Sequence, residues 1–286
     1  MERVARLTLA TPLLLGGALL LAFVYAMTDA YATFLGSIAF AYLGAIQLLN
    51  SAAPRFPLSL ARLIHWIRAM SLEFFAILGV LLFRFMPRRR ALSGRERPIL
   101  LVHGYVNNGS VWRWQKRQLE AAGFGPIYTI DLGHPFRSIQ RYAEQVKSKA
   151  EAIAKETGRK DLILVGHSMG GLVSCWYATA FAPPGTVTDV ITIGSPLSGT
   201  PLARIAIGPN AREMERDSPL LRQLRVAMDH NKEIRFHHIA TRSDQLVLPG
   251  HSAVIKENKC LILEDIGHVG LLYSPRVTDQ ICAWLK

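Results

Sequence analysis

The chain has 286 residues, of which half are hydrophobic and 19% are charged, an apolar balance for a soluble protein. Its net charge is +12, but no basic-aromatic alternation or recognition-helix pattern occurs, so the charge does not indicate nucleic-acid binding. The three cysteines, Cys175, Cys260 and Cys282, have neither metal-site nor C-x-x-C spacing. We expect them to be small buried side chains, and nothing requires an oxidising compartment.

The first 83 residues contain three apolar stretches. Residues 7–27 carry no charge and are long enough to span a bilayer as a helix, and a second uncharged stretch covers 30–51. The pattern predicts two membrane-spanning helices joined by a tight turn. The third stretch, 71–83, is shorter and carries Glu73. It is either a third span or a helix that lies in the membrane interface or covers the domain that follows.

A signal peptide is the alternative for the first stretch. Arg3 and Arg6 precede the apolar run, and Ala30-Tyr31-Ala32 resembles a small-residue cleavage site. The run is too long for a signal peptide, however, and another apolar stretch follows at once. Membrane-spanning helices are therefore favoured.

Arginines flank the apolar stretches, and their densest cluster follows the third one. Such a cluster beside a membrane favours anionic lipid headgroups. If only the first two stretches span, all flanking arginines lie on the cytoplasmic side, as the positive-inside rule prefers. If the third also spans, the remaining domain faces the periplasm and the cluster breaks that rule. The cluster consists of Arg84, Arg88, Arg89, Arg90, Arg95 and Arg97.

From residue 98 onward, short apolar runs alternate with helical patterns. This alternation predicts an α/β fold with a mostly parallel sheet and helices on both faces. A helix is expected over 139–156, ended by Gly158. Functional groups in such a sheet lie at the carboxyl ends of its strands. The predicted strands are 99–102, 127–130, 162–165, 190–193, 234–240 and 260–263.

The most informative motif is Gly166-His167-Ser168-Met169-Gly170, a G-x-S-x-G sequence between the 162–165 strand and a helix predicted from Met169 to about Phe181. On such a tight strand-to-helix turn, the serine hydroxyl projects from the sheet at a helix N-terminus, where an oxyanion is favoured. The motif predicts a nucleophilic serine. A serine that merely fills a turn is the alternative.

A nucleophilic serine requires a base and an acid that orients the base. His268 follows the last predicted strand, and Asp244 follows the 234–240 strand. The order Ser, Asp, His is the one expected in this type of sheet. Glu264 and Asp265 are rival acids, but they are too close to His268 in sequence to orient it easily. We therefore predict Ser168, Asp244 and His268 as the catalytic residues.

An oxyanion hole needs two backbone N–H groups directed at the developing charge. Met169 supplies one, and Tyr105, in the His103-Gly104-Tyr105 loop after the first strand, is the predicted second donor. His103 and His167 lie beside turn glycines, and we expect them to support these loops rather than act as bases. His237, His238 and His251 form no convincing metal set, so neither a metal nor a cofactor is predicted.

Together, His103-Gly104, the Ser168 motif and the Gly194–Pro201 segment GSPLSGTP resemble the α/β-hydrolase lipases. Bacterial triacylglycerol lipases and inositol-deacylase-like serine hydrolases are most similar, over residue 98 to the C-terminus. The resemblance implies an α/β-hydrolase fold, with Ser168, Asp244 and His268 as triad and Tyr105 and Met169 as oxyanion donors. It implies esterase or lipase activity without a cofactor.

We thus expect a membrane-anchoring region with a basic juxtamembrane segment, residues 1–97, and a catalytic domain, 98–286, with a possible cap within 197–232. The expected substrate is a lipid ester in the membrane, phospholipid rather than triglyceride, because of the anchor and the arginine cluster. The expected location is a bacterial inner membrane, with the catalytic domain facing the cytoplasm; a periplasmic orientation is the alternative. An acyltransferase or thioesterase with the same triad, or a scaffold that lacks activity, are the competing functions.

Overall fold

The computed structural model describes residues 60–84, 96–255 and 257–286. The first two apolar stretches, and with them the predicted spans and the alternative signal peptide, lie outside the described residues. So do the arginines at positions 88, 89, 90 and 95. The third apolar stretch and the whole predicted catalytic domain except residue 256 are described.

In the described part of the chain, six parallel strands, numbered in chain order, form one sheet in the order β2-β1-β3-β4-β5-β6. Each predicted strand is confirmed, with ends that shift by at most three residues. Because all six strands run in one direction, their carboxyl ends lie along a single edge of the sheet. The strands are β1 Ile99–Val102, β2 Ile127–Ile130, β3 Leu162–His167, β4 Val187–Ile193, β5 Arg235–Thr241 and β6 Lys259–Leu263.

Helices cover both faces of the sheet, as the alternating pattern predicts. Alternate side chains of β1 enter two separate cores: Leu100 and Val102 pack with α3, α4 and α6, whereas Ile99 and Leu101 pack with α2 and α7. The described helices are α1 Leu60–Arg84, α2 Arg113–Ala121, α3 Ile139–Thr157, α4 Met169–Trp176, α5 Pro209–Glu213, α6 Pro219–His230 and α7 Pro275–Leu285. Short 3₁₀ helices at Gly109–Trp112, Pro201–Ile205, Gly250–Ala253 and Gly270–Tyr273 and a π-helical turn at Tyr177–Phe181 connect them.

Local sequence explains where the predicted helix α3 begins and ends. Ser138 precedes it, and its hydroxyl oxygen accepts a hydrogen bond from the Arg141 N–H at 3.3 Å. Gly158 follows its last turn with φ of 70°, a left-handed conformation that glycine adopts without strain. Apolar residues three and four positions apart, from Ile139 to Ile153, face the core.

The third apolar stretch forms part of helix α1. No helix among the described residues is long and apolar enough to cross a membrane. Ala69 and Ala76 on α1 are buried, and a Cβ on Gly79 would lie 3.7 Å from the Tyr273 ring. This helix therefore packs on the domain that follows it, which is one of the alternatives that the sequence leaves open.

Arg97 departs from its predicted membrane role. Its guanidinium donates to Asp189 Oδ2 at 3.0 Å, to Thr188 Oγ1 at 3.2 Å and to the Leu285 carbonyl at 3.1 Å. Because Asp189 is fully buried at the start of β4, its carboxylate requires a paired cation. Arg97 thus belongs to the folded domain, and it was wrong to count it with the arginines available to a membrane surface.

The edge position of β6 corrects one cysteine prediction. Cys175 and Cys282 are buried, as expected, but Cys260 is exposed. Among the residues that the structure describes, strand β6 pairs only with β5, and most of its residues are exposed or half-buried. The cysteine pattern alone does not reveal which strand lies at an edge.

We predict that Ile163→Ala lowers the free energy of unfolding by about 2–5 kcal/mol, because Ile163 is 2% exposed in the central strand β3. Ile262→Ala is the matched control, since Ile262 is 43% exposed in β6, and we expect a loss below about 1 kcal/mol. Denaturant unfolding in mild detergent measures both values. Equal losses would contradict the placement of these strands.

Candidate active site

Ser168 lies on a sharp turn between β3 and α4. Its φ of 56° and ψ of −129° place a non-glycine residue in a region that side chains rarely adopt. The Ser168 N–H donates to the Ile193 carbonyl at 2.8 Å, which ties the turn to the end of β4. Strained backbone of this kind is the geometry expected of a nucleophile elbow.

The glycines of the motif allow the helix to begin directly against the sheet. A Cβ on Gly170 would lie 2.2 Å from the Val102 carbonyl oxygen, and a Cβ on Gly166 would lie 2.4 Å from the Gly170 oxygen. Both distances are far below van der Waals contact. The turn can therefore form only where these two positions lack a side chain.

The structure brings His268 and Asp244 together. The His268 Nδ1 lies 2.9 Å from Asp244 Oδ2 and 3.0 Å from Oδ1, and each side chain is 1% exposed. Asp244 Oδ1 also accepts the N–H groups of Leu246 and Val247 at 2.8 and 2.7 Å. An Asp244 carboxylate held in this way orients the imidazole with Nδ1 as donor, so that Nε2 can accept a proton.

The two rival acids have other partners. Asp265 pairs with Arg276 and lies 3.8 Å from Arg68, and Glu264 lies 3.4 Å from Arg242. Neither forms the hydrogen bond to the His268 ring.

The surroundings of His268 favour its charged form. Burial by itself lowers the pKa of His268, but the negative charge and hydrogen bond of Asp244 outweigh burial and raise it, with a smaller contribution from Glu73. A base of this kind is stabilised once it has taken up a proton.

The other two histidines of the motifs support the site. The His167 ring lies 4.6 Å from the His268 ring, and its Nε2–H donates to the His268 carbonyl at 3.1 Å. Burial, followed by the charge of His268, lowers the pKa of His167 well below its ordinary value, so it is neutral. His103 Nε2 accepts the Leu132 N–H at 3.0 Å.

Two contacts connect the His268 ring to the Ser168 turn. The first is the contact between the rings of His268 and His167, the residue directly before Ser168. Gly194 directly follows Ile193, whose carbonyl holds Ser168, and a Cβ on Gly194 would lie 3.2 Å from His268 Nδ1. The structure therefore places serine, histidine and aspartate at the same edge of the sheet, after β3, β6 and β5.

The predicted oxyanion donors belong to segments that adjoin Ser168: Met169 follows it in the chain, and Gly104, directly before Tyr105, lies against it. A Cβ on Gly104 would lie 2.8 Å from Ser168 Cβ and 3.3 Å from Oγ, so the loop after β1 lies against the serine. Within the described part of the chain, the N–H groups of Tyr105 and Met169 donate to no protein acceptor. Two unused N–H groups beside a nucleophile can bind a developing oxyanion.

The Tyr105 hydroxyl connects this loop to the segment after β4. It donates to the Ile207 carbonyl at 2.8 Å and accepts the Ile207 N–H at 3.0 Å. Asn210 Nδ2 lies 3.3 Å from Met169 Sδ. Within the predicted cap, Ile207 and Asn210 therefore contact residues of the site, whereas Leu220, Leu221 and Leu224 of α6 are buried in the core.

Sequence reasoning missed two side chains beside His268. Gln245 Oε1 accepts the His268 N–H at 3.1 Å, and Glu73 of α1 accepts the next two N–H groups. The only available signal was a single acidic residue in an otherwise apolar stretch. Among the residues that the structure describes, no three His, Cys, Asp or Glu side chains cluster in a way that could hold a metal ion.

Residues 99–255, more than half of the chain, match the sequence profile of the alpha/beta hydrolase family. The chain belongs to this family. Two solved lipases share its fold at low identity. The mature lipase BlEst2 of Bacillus licheniformis superposes with a TM-score of 0.59 at 18% identity, over 71% of this chain and 95% of that one. Aspergillus fumigatus lipase B gives 0.56 at 19% identity, over 66% and 52%.

The chain is also similar in sequence to an esterase and a lipase. Pimeloyl-[acyl-carrier protein] methyl ester esterase of Vibrio cholerae is 31% identical over 104 residues, which are 36% of this chain and 39% of that enzyme. Triacylglycerol lipase of Pseudarthrobacter phenanthrenivorans is 32% identical over 115 residues, 37% of this chain and 35% of that enzyme. The chain thus spans well under half the length of these relatives.

We predict that Asp244→Asn lowers the pKa of His268, because the substitution removes the negative charge that favours the imidazolium. Nuclear magnetic resonance of histidine-labelled protein measures the titration. In the unsubstituted protein, the pKa of His268 should lie above its ordinary value. The control is Asp265→Asn. The Asp265 carboxylate is paired with Arg276, so this substitution should leave the titration of His268 unchanged. An unaltered His268 titration in Asp244→Asn would contradict this assignment.

Proposed function

We propose that the protein is a membrane-anchored serine ester hydrolase that cleaves acyl esters of lipids through an acyl-enzyme intermediate. The observation that carries this proposal is the buried Asp244–His268 pair beside the strained Ser168 turn. Esterase and lipase relatives in the same family support ester hydrolysis.

The proposed reaction has two steps. Ser168 Oγ attacks the ester carbonyl while His268 Nε2 takes the hydroxyl proton, and the Tyr105 and Met169 N–H groups bind the resulting oxyanion. Collapse of this intermediate breaks the bond to the alcohol, which leaves with the proton from His268. Water, deprotonated by His268, then attacks the acyl-serine, and the carboxylic acid is released as Ser168 recovers its proton.

Exposed apolar residues next to Tyr105 support a lipid substrate. Ile205 and Ile207 are 79% and 66% exposed, and Val106 is 49% exposed. Ile207 is hydrogen-bonded to the Tyr105 side chain, so these residues lie beside the proposed oxyanion donor. Such an apolar rim suits the acyl chain of a lipid or the hydrocarbon of a membrane.

Helix α1 supports a position at the bilayer. Phe74, Phe75, Leu78 and Leu82 are exposed on α1, which follows the predicted spans and leads into the arginine cluster. Apolar side chains beside basic ones are suited to a surface of anionic lipids. We therefore propose phospholipid rather than triglyceride as the substrate, and a catalytic domain on the cytoplasmic side of a bacterial inner membrane.

Ser168→Ala should reduce hydrolysis of acyl esters by at least about 10⁴-fold, because it removes the nucleophile. Membrane association should be unaffected, and a fluorophosphonate probe should no longer label the protein. Ser148→Ala, at an exposed position on α3, is the control and should keep full activity.

Unchanged turnover in Ser168→Ala would overturn the proposed nucleophile. Product analysis with a competing alcohol or thiol separates the remaining possibilities: free carboxylic acid supports hydrolysis, whereas transfer of most acyl groups to the acceptor would indicate an acyltransferase.

Replacing both Phe74 and Phe75 by Ser should lower hydrolysis of anionic phospholipid vesicles about tenfold, because the helix loses apolar area that would enter the bilayer. Hydrolysis of a soluble short-chain ester should stay unchanged. The control is Val226→Ser, which removes a 57% exposed side chain from α6. Equal rates on vesicles for all three proteins would contradict the proposed membrane contact.

A further inference from the structure

Glu73 lies on helix α1, outside the part of the chain that matches the family, but its carboxylate reaches the active site. It is only 5% exposed. Its Oε1 accepts the Val269 N–H at 2.8 Å, and its Oε2 accepts the Gly270 N–H at 2.8 Å. These two N–H groups directly follow His268 in the chain.

The backbone around His268 is built to accept this carboxylate. A Cβ on Gly267 would lie 2.4 Å from Glu73 Oε2 and 2.9 Å from Gln245 Nε2, so the carboxylate packs against bare backbone. Gln245 Oε1 accepts the N–H of His268 itself at 3.1 Å. Three consecutive N–H groups, 268 to 270, are therefore held by two buried side chains.

The two hydrogen bonds favour the ionised form of Glu73. The ionised carboxylate offers a strong acceptor oxygen to each N–H group, whereas protonation turns one oxygen into a hydroxyl, which is a weaker acceptor. Hydrogen bonds to an ionised group are the stronger ones. The two bonds therefore hold the loop most firmly when Glu73 is negative.

Two titratable groups act on this carboxylate, and a third lies on an element that packs on α1. His268 and Asp244 interact with it through their charges, and Tyr273 belongs to the 3₁₀ helix that packs on α1. Burial raises the pKa of Glu73 to about 7, against the opposing effect of the Val269 and Gly270 hydrogen bonds and of His268. In return, the negative charge of Glu73 raises the pKa of His268.

We propose that Glu73 is a positioning residue for the base of the reaction: helix α1 reaches across to the catalytic domain, and its carboxylate fixes the backbone that carries His268. The proposal rests on the proposed function, in which His268 is the base. The same helix exposes Phe74 and Phe75, so the proposed membrane contact and the support of the base belong to one element. Glu73, which precedes the hydrolase fold in the chain, then contributes to the active site.

Glu73→Gln and Glu73→Ala in the full chain test this proposal with a soluble short-chain ester. We expect kcat to fall by about 10- to 100-fold with little change in KM, because misplacement of a base affects the chemical step. In Glu73→Gln the acid limb of kcat/KM against pH should move to lower pH, since His268 loses a negative neighbour. A role in folding alone would not move that limb.

Glu264→Gln is the matched control. It removes a carboxylate close to His268 in sequence, but Glu264 is exposed and pairs with Arg242 instead of the backbone. Neither kcat nor the acid limb should change. A second variant, Gly267→Ala, should lower kcat because its Cβ displaces Glu73. In the Glu73→Ala background the same substitution should lower kcat by a smaller factor, because the close contact with Glu73 is then absent.

Wild-type kcat and pH profile in both Glu73 variants would overturn the proposal, and so would a loss of kcat without a shift of the acid limb. If Glu73→Ala does not fold, as judged by circular dichroism, the isosteric Glu73→Gln decides by the same two criteria. Ser168→Ala distinguishes failure of the positioning role from failure of the proposed function. If that variant is inactive while the Glu73 variants behave as wild type, only the positioning role is wrong.

Discussion

The close approach of helix α4 to strands β1 and β3 is the constraint on which the site depends. The helix begins where Gly170 touches the Val102 carbonyl, at a distance that leaves no room for a Cβ. To connect strand and helix over so short a path, Ser168 must adopt a positive φ. Its side chain then lies at the carboxyl edge of the sheet, next to Gly104 and to the unused N–H groups of Tyr105 and Met169. Because all six strands are parallel, the loops that carry Asp244 and His268 open at the same edge.

Buried carboxylates surround the base, and backbone N–H groups stabilise them. Asp244 accepts two N–H groups of its own loop, and Glu73 accepts two from the residues after His268. Each arrangement replaces the water that an ionised carboxylate loses on burial. The charge of Asp244, together with that of Glu73 when Glu73 is ionised, favours protonated His268, the species that forms when the serine is deprotonated. In the proposed mechanism, the electrostatic environment of the transition state is therefore already present in the folded protein.

Features encoded in short segments could be predicted from the sequence. The strands, the capped helix α3 and the turn around Ser168 follow from local apolar patterns and glycine positions, and the pairing of His268 with Asp244 follows from strand order. Contacts between distant segments could not be predicted in this way. Glu73 and Val269 are 196 positions apart, and Arg97 and Asp189 are 92 apart. From the sequence, Arg97 was therefore grouped with the membrane-facing arginines, and Glu73 was only an acidic residue in an apolar stretch. Tertiary packing gives each of them a buried partner.

In the proposed mechanism, Ser168 is the nucleophile of a site assembled from His268, Asp244 and the Tyr105 and Met169 N–H groups. A crystal structure of the full chain after reaction with a lipid-like phosphonate ester tests it most directly. We expect phosphorus bonded to Ser168 Oγ, its anionic oxygen within hydrogen-bond distance of both N–H groups, and the His268 ring still hydrogen-bonded to Asp244. Phosphorus on another residue, or an oxygen directed away from Tyr105 and Met169, would contradict it.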